Sequence, residues 1–250
     1  MLIAVFSNYF ILLAIFGFSF LLKKILFLNK KIILENIDFL YGLIFLIFFA
    51  LLLNFFFPLN YFTIWVILTG VLIFLYGFYK KFFKINLFYY LIIIFFTTFV
   101  SFYTGNNVDS PMYHLQIIKW LSFHKISFGL SDLEIRFGFN STWHSLVALL
   151  DLKIHKFSAK YYLSAIIFGL VIYEVIKLKE KINYSDLFLF LVVSFLIFFS
   201  FIHPYRNGII LNHLGNPERD IVTMFFFFLI IYIFLKIQEN NNDNNNLINL

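Results

Sequence analysis

Seven long apolar runs constrain this chain more than any other feature of its sequence. The first, residues 2–22, is uninterrupted and has the length that about 30 Å of hydrocarbon requires. The others are residues 39–57, 61–79, 87–103, 161–176, 187–202 and 221–235. Because backbone groups in lipid must be satisfied within their own segment, each run is predicted to be a helix. The predicted fold class is all-α, a polytopic transmembrane bundle with about seven spans and an outer loop of interfacial amphipathic helices.

The composition excludes an ordinary soluble globule. With 62% hydrophobic and 13% charged side chains in 250 residues, such a globule could not bury so much apolar surface. The net charge of +6 comes mostly from lysines between the apolar runs, where membrane orientation explains them better than nucleic-acid binding. Cysteine is absent, which excludes a disulfide framework and thiolate chemistry. The lipid bilayer is the predicted partner, and nucleic acid is not.

The lysines predict an orientation. Three loops, those after the first, third and fifth runs, can all be cytoplasmic together under the positive-inside rule. Their lysines are Lys23, Lys24, Lys30, Lys31, Lys80, Lys81, Lys84, Lys177, Lys179 and Lys181. Residues 105–160 and 203–219 then lie outside, on the periplasmic side of a bacterial inner membrane. The basic residues of the segment 105–160 run against the rule, but the rule weakens for long loops.

Three regions follow along the chain. Residues 1–86 are predicted to be an N-terminal extension of three spans, and residues 87–235 a membrane core whose outer loop is 104–160. Residues 236–250 are rich in Asn and predicted to be a disordered tail.

The outer loop begins with an acidic residue just before a predicted helix. Ser110 can cap that helix, and Pro111 suits its first position because a missing N–H costs nothing there. The positive end of the helix dipole favours the ionised form of Asp109, which suits an electrostatic role or a base. A role as helix cap alone is the open alternative.

This first loop helix is predicted to lie in the membrane interface. Ile117 and Trp120 share one stripe with Tyr113, whereas Gln116 and Lys119 form a narrow polar strip. A second helix is predicted over residues 141–152, too short to span, with Trp143 suited to the headgroup level. An irregular connection with three charged side chains, Asp132, Glu134 and Arg136, separates the two helices.

Three segments of the core resemble a known family. They are DSPMYHLQIIKWL, FGFNSTWHSLVALL and FSAKYYLSAIIFGLVIYEVI. Together they look like the first outer loop and following span of the GT-C glycosyltransferases, which include the protein mannosyltransferase and aminoarabinose transferase group. The chain is similar, more closely, to an uncharacterised family of bacterial multi-pass membrane proteins. The resemblance covers about residues 87–235. The family's acidic pair is reduced here to Asp109 followed by Ser110, and the prolines of its loop helix are missing.

The resemblance implies transfer of a sugar from a polyprenyl-phosphate donor at the outer face, in surface polysaccharide or glycoconjugate synthesis. It implies two catalytic residues, Asp109 as base and Asp220 at the start of a later span. The implied substrate-binding residues are Tyr113, His114, Lys119, Arg136, Trp143, His144, Arg206 and Arg219. A divalent metal ion is an open question, and histidines could bind one. Family members are usually longer, so an incomplete chain is also expected as an alternative.

Each of these assignments has a non-catalytic alternative. The histidines could be interfacial aromatics, and Arg206 and Arg219 could anchor lipid headgroups. The whole protein could instead be a non-catalytic, transport or polymerase component of a polysaccharide assembly system. The apolar runs hold few polar residues to line a path, which disfavours a channel. The scattered cases are Asn54, Thr97, Thr98 and Glu174.

Overall fold

A computed structural model describes residues 2–27, 33–103, 113–127, 129, 132, 142–152, 159–176, 183–202 and 220–248. These residues form nine helices, two short 3₁₀ turns and one isolated bridge. The helices are α1 (Leu2–Leu26), α2 (Phe39–Phe56), α3 (Thr63–Tyr79), α4 (Leu87–Tyr103), α5 (Leu115–Phe123), α6 (Thr142–Leu150), α7 (Ala159–Ile176), α8 (Tyr184–Ile202) and α9 (Asp220–Ile248). The all-α prediction is confirmed over the part of the chain that the structure describes.

The predicted apolar runs coincide with α1 to α4 and α7 to α9. Among the described residues, three stretches are long and apolar enough to cross a membrane: Leu2–Leu26, Asn36–Phe56 and Val222–Glu239. The other apolar stretches with described side chains are shorter, at 10–17 residues, and the 17 residues of α3 rise only about 26 Å. The described residues therefore hold three helices of membrane-spanning length, and the count of seven spans stays a prediction.

One end of the bundle joins the α1–α2 and α3–α4 connections, and we call it the lysine end. The backbone N–H of Leu34 donates to the carbonyl of Phe82 at 2.7 Å, and that of Lys84 donates back to Leu34 at 2.8 Å. The end of α7 lies there too, since the Asn36 amide donates to the carbonyl of Leu170 at 3.1 Å and to Glu174 at 2.5 Å.

The other end carries α5 and α6, and we call it the loop end. Helix α2 starts at the lysine end and extends over 18 residues, about 27 Å. The 3₁₀ turn Leu59–Tyr61 follows it and contacts both α5 and α6. Helix α7 ends at the lysine end, so its first turn also lies towards the loop end.

Helix α9 runs in the same direction as α7. Its residue Glu239 accepts a 2.6 Å hydrogen bond from the hydroxyl of Ser185 at the start of α8, and Phe225 stacks on Phe168 of α7 with ring centroids 5.2 Å apart. Since α8 begins after the lysine end of α7, residue 239 lies near that end. Asp220, the first residue of α9, therefore lies towards the loop end.

Two observations concern the predicted boundaries of the three regions, which stay predictions. Residues 236–248 are helical and continue α9, whereas a disordered tail was expected from residue 236. Once a helix is formed, each added residue makes one further hydrogen bond, and Glu239 is held by both the N–H and the hydroxyl of Ser185. The predicted N-terminal extension packs closely on the core, because α1 contacts α4 and α7 and α2 contacts α6.

Candidate active site

Helix α5 presents one apolar face to the bundle. Ile118 and Leu121 are buried, whereas Gln116 and Lys119 are exposed, which confirms the predicted polar strip. Trp120 was expected on the apolar stripe, but 37% of its surface is exposed. Trp120 follows the exposed Gln116 by four positions, which places it only about 40° from Gln116 around the helix, at the edge of the stripe. The start of the predicted helix, at Ser110 and Pro111, lies outside the described residues.

Helix α6 is buried on every side, and the prediction of an interfacial amphipathic helix is wrong for it. Its residues from Trp143 to Leu150 are all buried, and it packs against α2, α5 and α7. Trp143 is only 5% exposed, so its ring lies among protein helices and not at a headgroup level. The physical reason is that the sequence TWHSLVALL has no charged residue, and a helix that is apolar all round is stable only when covered.

The crossing of α5 and α6 brings two histidines together. Nδ1 of His114 is 2.9 Å from Nε2 of His144, although the residues are 30 positions apart. Both rings are buried, with 7% and 1% of their surface exposed. A hydrogen bond between two imidazole nitrogens needs a proton on one and a lone pair on the other. The pair therefore shares one proton between its rings, and each ring has a second nitrogen that can donate or accept another hydrogen bond.

An aromatic side chain extends this histidine pair. The ring centroid of Tyr113 is 4.1 Å from that of His114, and Tyr113 is half-buried. The two residues form a π-helical turn just before α5, a geometry that is frequent at functional sites. Of the predicted substrate-binding residues, the structure thus brings together Tyr113, His114 and His144, and Trp143 is buried next to His144 in the sequence of α6. It leaves Lys119 on the exposed face of α5.

The remaining predicted site residues are not gathered by the described part of the chain. Asp109, Arg136, Arg206 and Arg219 lie outside the described residues. Asp220 is described as the first residue of α9 in its backbone only. Among described residues no group of three His, Cys, Asp or Glu side chains could hold a metal ion. The metal question therefore stays open, and the roles of both aspartates stay predictions.

One residue that sequence reasoning treated as scattered is part of this region. Asn54, near the end of α2, is buried, and its amide contacts the carbonyls of Leu121 and His124 at the end of α5. A polar side chain inside an apolar run is costly unless it has a partner. That signal was visible in the sequence, but the partner was not.

A second polar cluster lies at the lysine end, far from the histidines. The Asn36 amide donates to Glu174, while the hydroxyl of Tyr90 donates to the side-chain oxygen of Asn36. Tyr90 stacks on Tyr173 with centroids 4.1 Å apart. This cluster ties α4 and α7 to the α1–α2 connection.

Comparison with known proteins gives a family without an assigned activity. Residues 1–250 match the model of a family described as a domain of unknown function, DUF8201. No curated protein and no solved structure matches the chain.

Proposed function

This chain belongs to the DUF8201 family, and we propose that it is a glycosyltransferase-like protein of a bacterial inner membrane, with about seven spans. It transfers a sugar from a polyprenyl-phosphate donor at the periplasmic face, in the synthesis of a surface polysaccharide or glycoconjugate. The resemblance of its outer loop to GT-C glycosyltransferases motivates the proposal. The buried histidine pair is the structural observation that carries it.

The histidine pair supports a site at the loop end, because both rings are buried there and imidazole nitrogens can donate or accept hydrogen bonds. Asp109 precedes His114 by five positions, so the extended chain cannot separate their backbones by more than about 18 Å. The first residue of α9, Asp220, lies towards the same end of the bundle. Both predicted catalytic acids are therefore compatible with one site beside the histidines.

The proposed reaction needs one base and a set of cations. The acceptor oxygen forms a bond to the anomeric carbon, the bond from that carbon to the donor phosphate breaks, and the acceptor proton moves to Asp109. The departing phosphate carries the electron pair of the broken bond. Arg136, Arg206 and Arg219 are proposed to bind it, because guanidinium groups match phosphate oxygens. His114 and His144 hydrogen-bond the sugar.

The test is a transfer assay on purified protein in liposomes. The donor is a pool of polyprenyl-phosphate sugars labelled with radioactive hexose, and the product is labelled glycan released from lipid. Asp109→Asn is expected to lower transfer by at least about 100-fold, because general base catalysis contributes that much. Asp132→Asn, in the same outer loop, is the matched control and is expected to retain transfer. Equal rates for Asp109→Asn and the unsubstituted chain would end the catalytic proposal.

A transport component is the second candidate, and one observation favours it. Glu174 is an ionisable side chain buried inside the bundle, and such residues often mark a path for ions or substrates. In the same liposomes, transport would move labelled lipid-linked glycan across the bilayer without forming a new glycosidic bond. Movement that Glu174→Gln abolishes and Asp109→Asn leaves intact would favour this alternative.

A further inference from the structure

The end of α5 is joined to α2 through the buried side-chain amide of Asn54. Asn54 has 1% of its surface exposed, and its Nδ2 lies 3.1 Å from the carbonyl oxygens of both Leu121 and His124. The carbonyl of Phe57, in its own helix end, lies at 3.3 Å. An amide nitrogen has two hydrogens, so these three acceptors share two donors. The contact is between elements that are 67 and 70 positions apart in sequence.

The orientation of this amide is defined by its surroundings. Turning the group by 180° would point Oδ1 of Asn54 at three carbonyl oxygens, which repel it. In the observed orientation Oδ1 is buried and has no hydrogen-bond partner in the described part of the chain. The donor side of the amide therefore determines its position, and a side chain without that donor cannot replace it.

Asn54 also donates a hydrogen bond to a backbone carbonyl at the C-terminus of α5. The last four carbonyls of a helix have no partner within it, and they need another donor when buried. The carbonyl of Trp120 receives the N–H of His124 at 2.7 Å, and that of Leu121 receives the Asn54 amide. In return, the N–H of Ile126 donates to the backbone carbonyl of Asn54 at 2.9 Å. Hydrogen bonds are thus donated both from α2 to the end of α5 and from the connection after α5 to α2.

We propose that Asn54 is a positioning residue, which fixes the C-terminal end of α5 on α2 and thereby sets the contact of His114 with His144. Helix α5 has nine residues, about 13 Å, and is rigid over that length. Because α5 also packs against α6, fixing its C-terminal end sets how α5 lies on α6 and so the place of His114 at its other end. The link to catalysis rests on the proposed function, whereas the link to the histidine contact does not.

Hydrogen exchange tests whether Asn54 holds the C-terminal end of α5, without any activity assay. We would compare Asn54→Leu and Asn54→Asp with the matched control Asn8→Leu, in lipid nanodiscs. Asn8 is also a buried amide, but it donates to Thr98 between α1 and α4, away from α5. Both Asn54 variants are expected to speed exchange in residues 121–126 by about tenfold or more, because at least two hydrogen bonds are lost. Asn8→Leu is expected to leave exchange there unchanged.

A second measurement follows the histidine contact itself. In protein labelled with ¹⁵N-histidine, the ring nitrogen signals of the pair are expected to shift in Asn54→Leu and to stay in place in Asn8→Leu. The unsubstituted chain gives a third measurement, which does not depend on a variant folding. The N–H of Ile126 lies outside any helix, yet it should exchange at least about tenfold more slowly than that of Lys125, which donates no hydrogen bond in the described residues.

Three results would overturn the proposal: no protection at Ile126, no faster exchange in either Asn54 variant, or ring signals that do not respond to Asn54→Leu. These results are separate from the fate of the proposed function. If the unsubstituted chain transfers no sugar but the exchange and ring signals behave as expected, the positioning role of Asn54 is supported and the glycosyltransferase proposal fails. If transfer is observed, Asn54→Leu should lower it at least about tenfold, and Asn8→Leu should not.

Discussion

Helices α1 and α3 approach closely enough that a single methyl group should separate them. At Gly17, an added Cβ would lie 1.9 Å from the carbonyl oxygen of Gly70 and 2.8 Å from its carbonyl carbon. Both are backbone atoms of the middle of a helix and cannot rotate away. Membrane helices associate through close packing of small residues, because lipid provides no hydrophobic force between them. Gly17→Ala is therefore expected to destabilise the N-terminal half of the bundle.

The distances at Gly17 give the size of the expected loss of stability. Real Cβ contacts shorter than 3.0 Å are essentially not found, so α1 and α3 must move apart by at least about 1 Å. A gap of that size removes a quarter to a half of the dispersion energy of each contact, and overpacking costs about 3 kcal/mol at the upper end of its usual range. The higher helix propensity of Ala returns about 1 kcal/mol. The net loss is about 2 kcal/mol, which corresponds to about 4–8 °C in Tm for a chain of this size.

Thermal unfolding in detergent, followed by size-exclusion chromatography, measures this effect. Gly169→Ala is the matched control, because a Cβ there meets only side-chain ends: Ile94 Cδ1 at 2.9 Å, Thr97 Oγ1 at 3.2 Å and Ile93 Cγ2 at 3.3 Å. These ends can shift, so its Tm is expected to change by less than half as much. A Tm for Gly17→Ala that equals that of the unsubstituted chain, or lies above that of Gly169→Ala, would refute the reasoning.

Three further outcomes are expected. Asp38→Ala removes the 2.7 Å ion pair to the end of α1 and a 2.8 Å backbone hydrogen bond, and should lower Tm by about 4 °C, or 1–2 kcal/mol, in the same assay. Glu174→Leu should lower Tm more than Glu174→Gln, because only leucine deprives the buried Asn36 amide of this acceptor. In sealed vesicles an impermeant maleimide should label Tyr61→Cys and Lys80→Cys from opposite sides of the membrane. The chain has no cysteine, so only the introduced residue reacts. Labelling of both variants from the same side would contradict the assignment of these residues to opposite ends of the bundle.

The positions of the long helices could be predicted because apolar runs leave little choice of backbone. Helix α4 has the predicted bounds, and the other long helices differ mainly at their ends. Those ends depend on partners that a sequence does not display. Helix α9 continues into the Asn-rich segment, where Ser185 binds Glu239 from a different helix.

The candidate site could be predicted only in part, and the difference is one of tertiary contact. The polar strip of α5 follows from helical periodicity, which is a local property. The burial of Trp143 does not, because an aromatic residue in a short apolar helix suits an interface as well as an interior. The meeting of His114 with His144 depends on how α5 crosses α6, and no spacing in the sequence encodes that crossing. The roles of Asp109 and Asp220 rest on resemblance and stay predictions.

The contacts deep in the bundle and the site at the loop end are mechanically linked through α2. At Gly42 a Cβ would lie 2.0 Å from the carbonyl oxygen of Ile15, and the N–H of Gly42 donates to the hydroxyl of Ser19 at 3.1 Å. These contacts fix α2 along α1 near the lysine end. Asn54 is twelve residues further on, about 18 Å away on the same rigid helix. A slide of α2 by one turn, about 5.4 Å, would carry Asn54 out of reach of α5, so glycine packing near one end of the bundle sets the position of the histidines at the other.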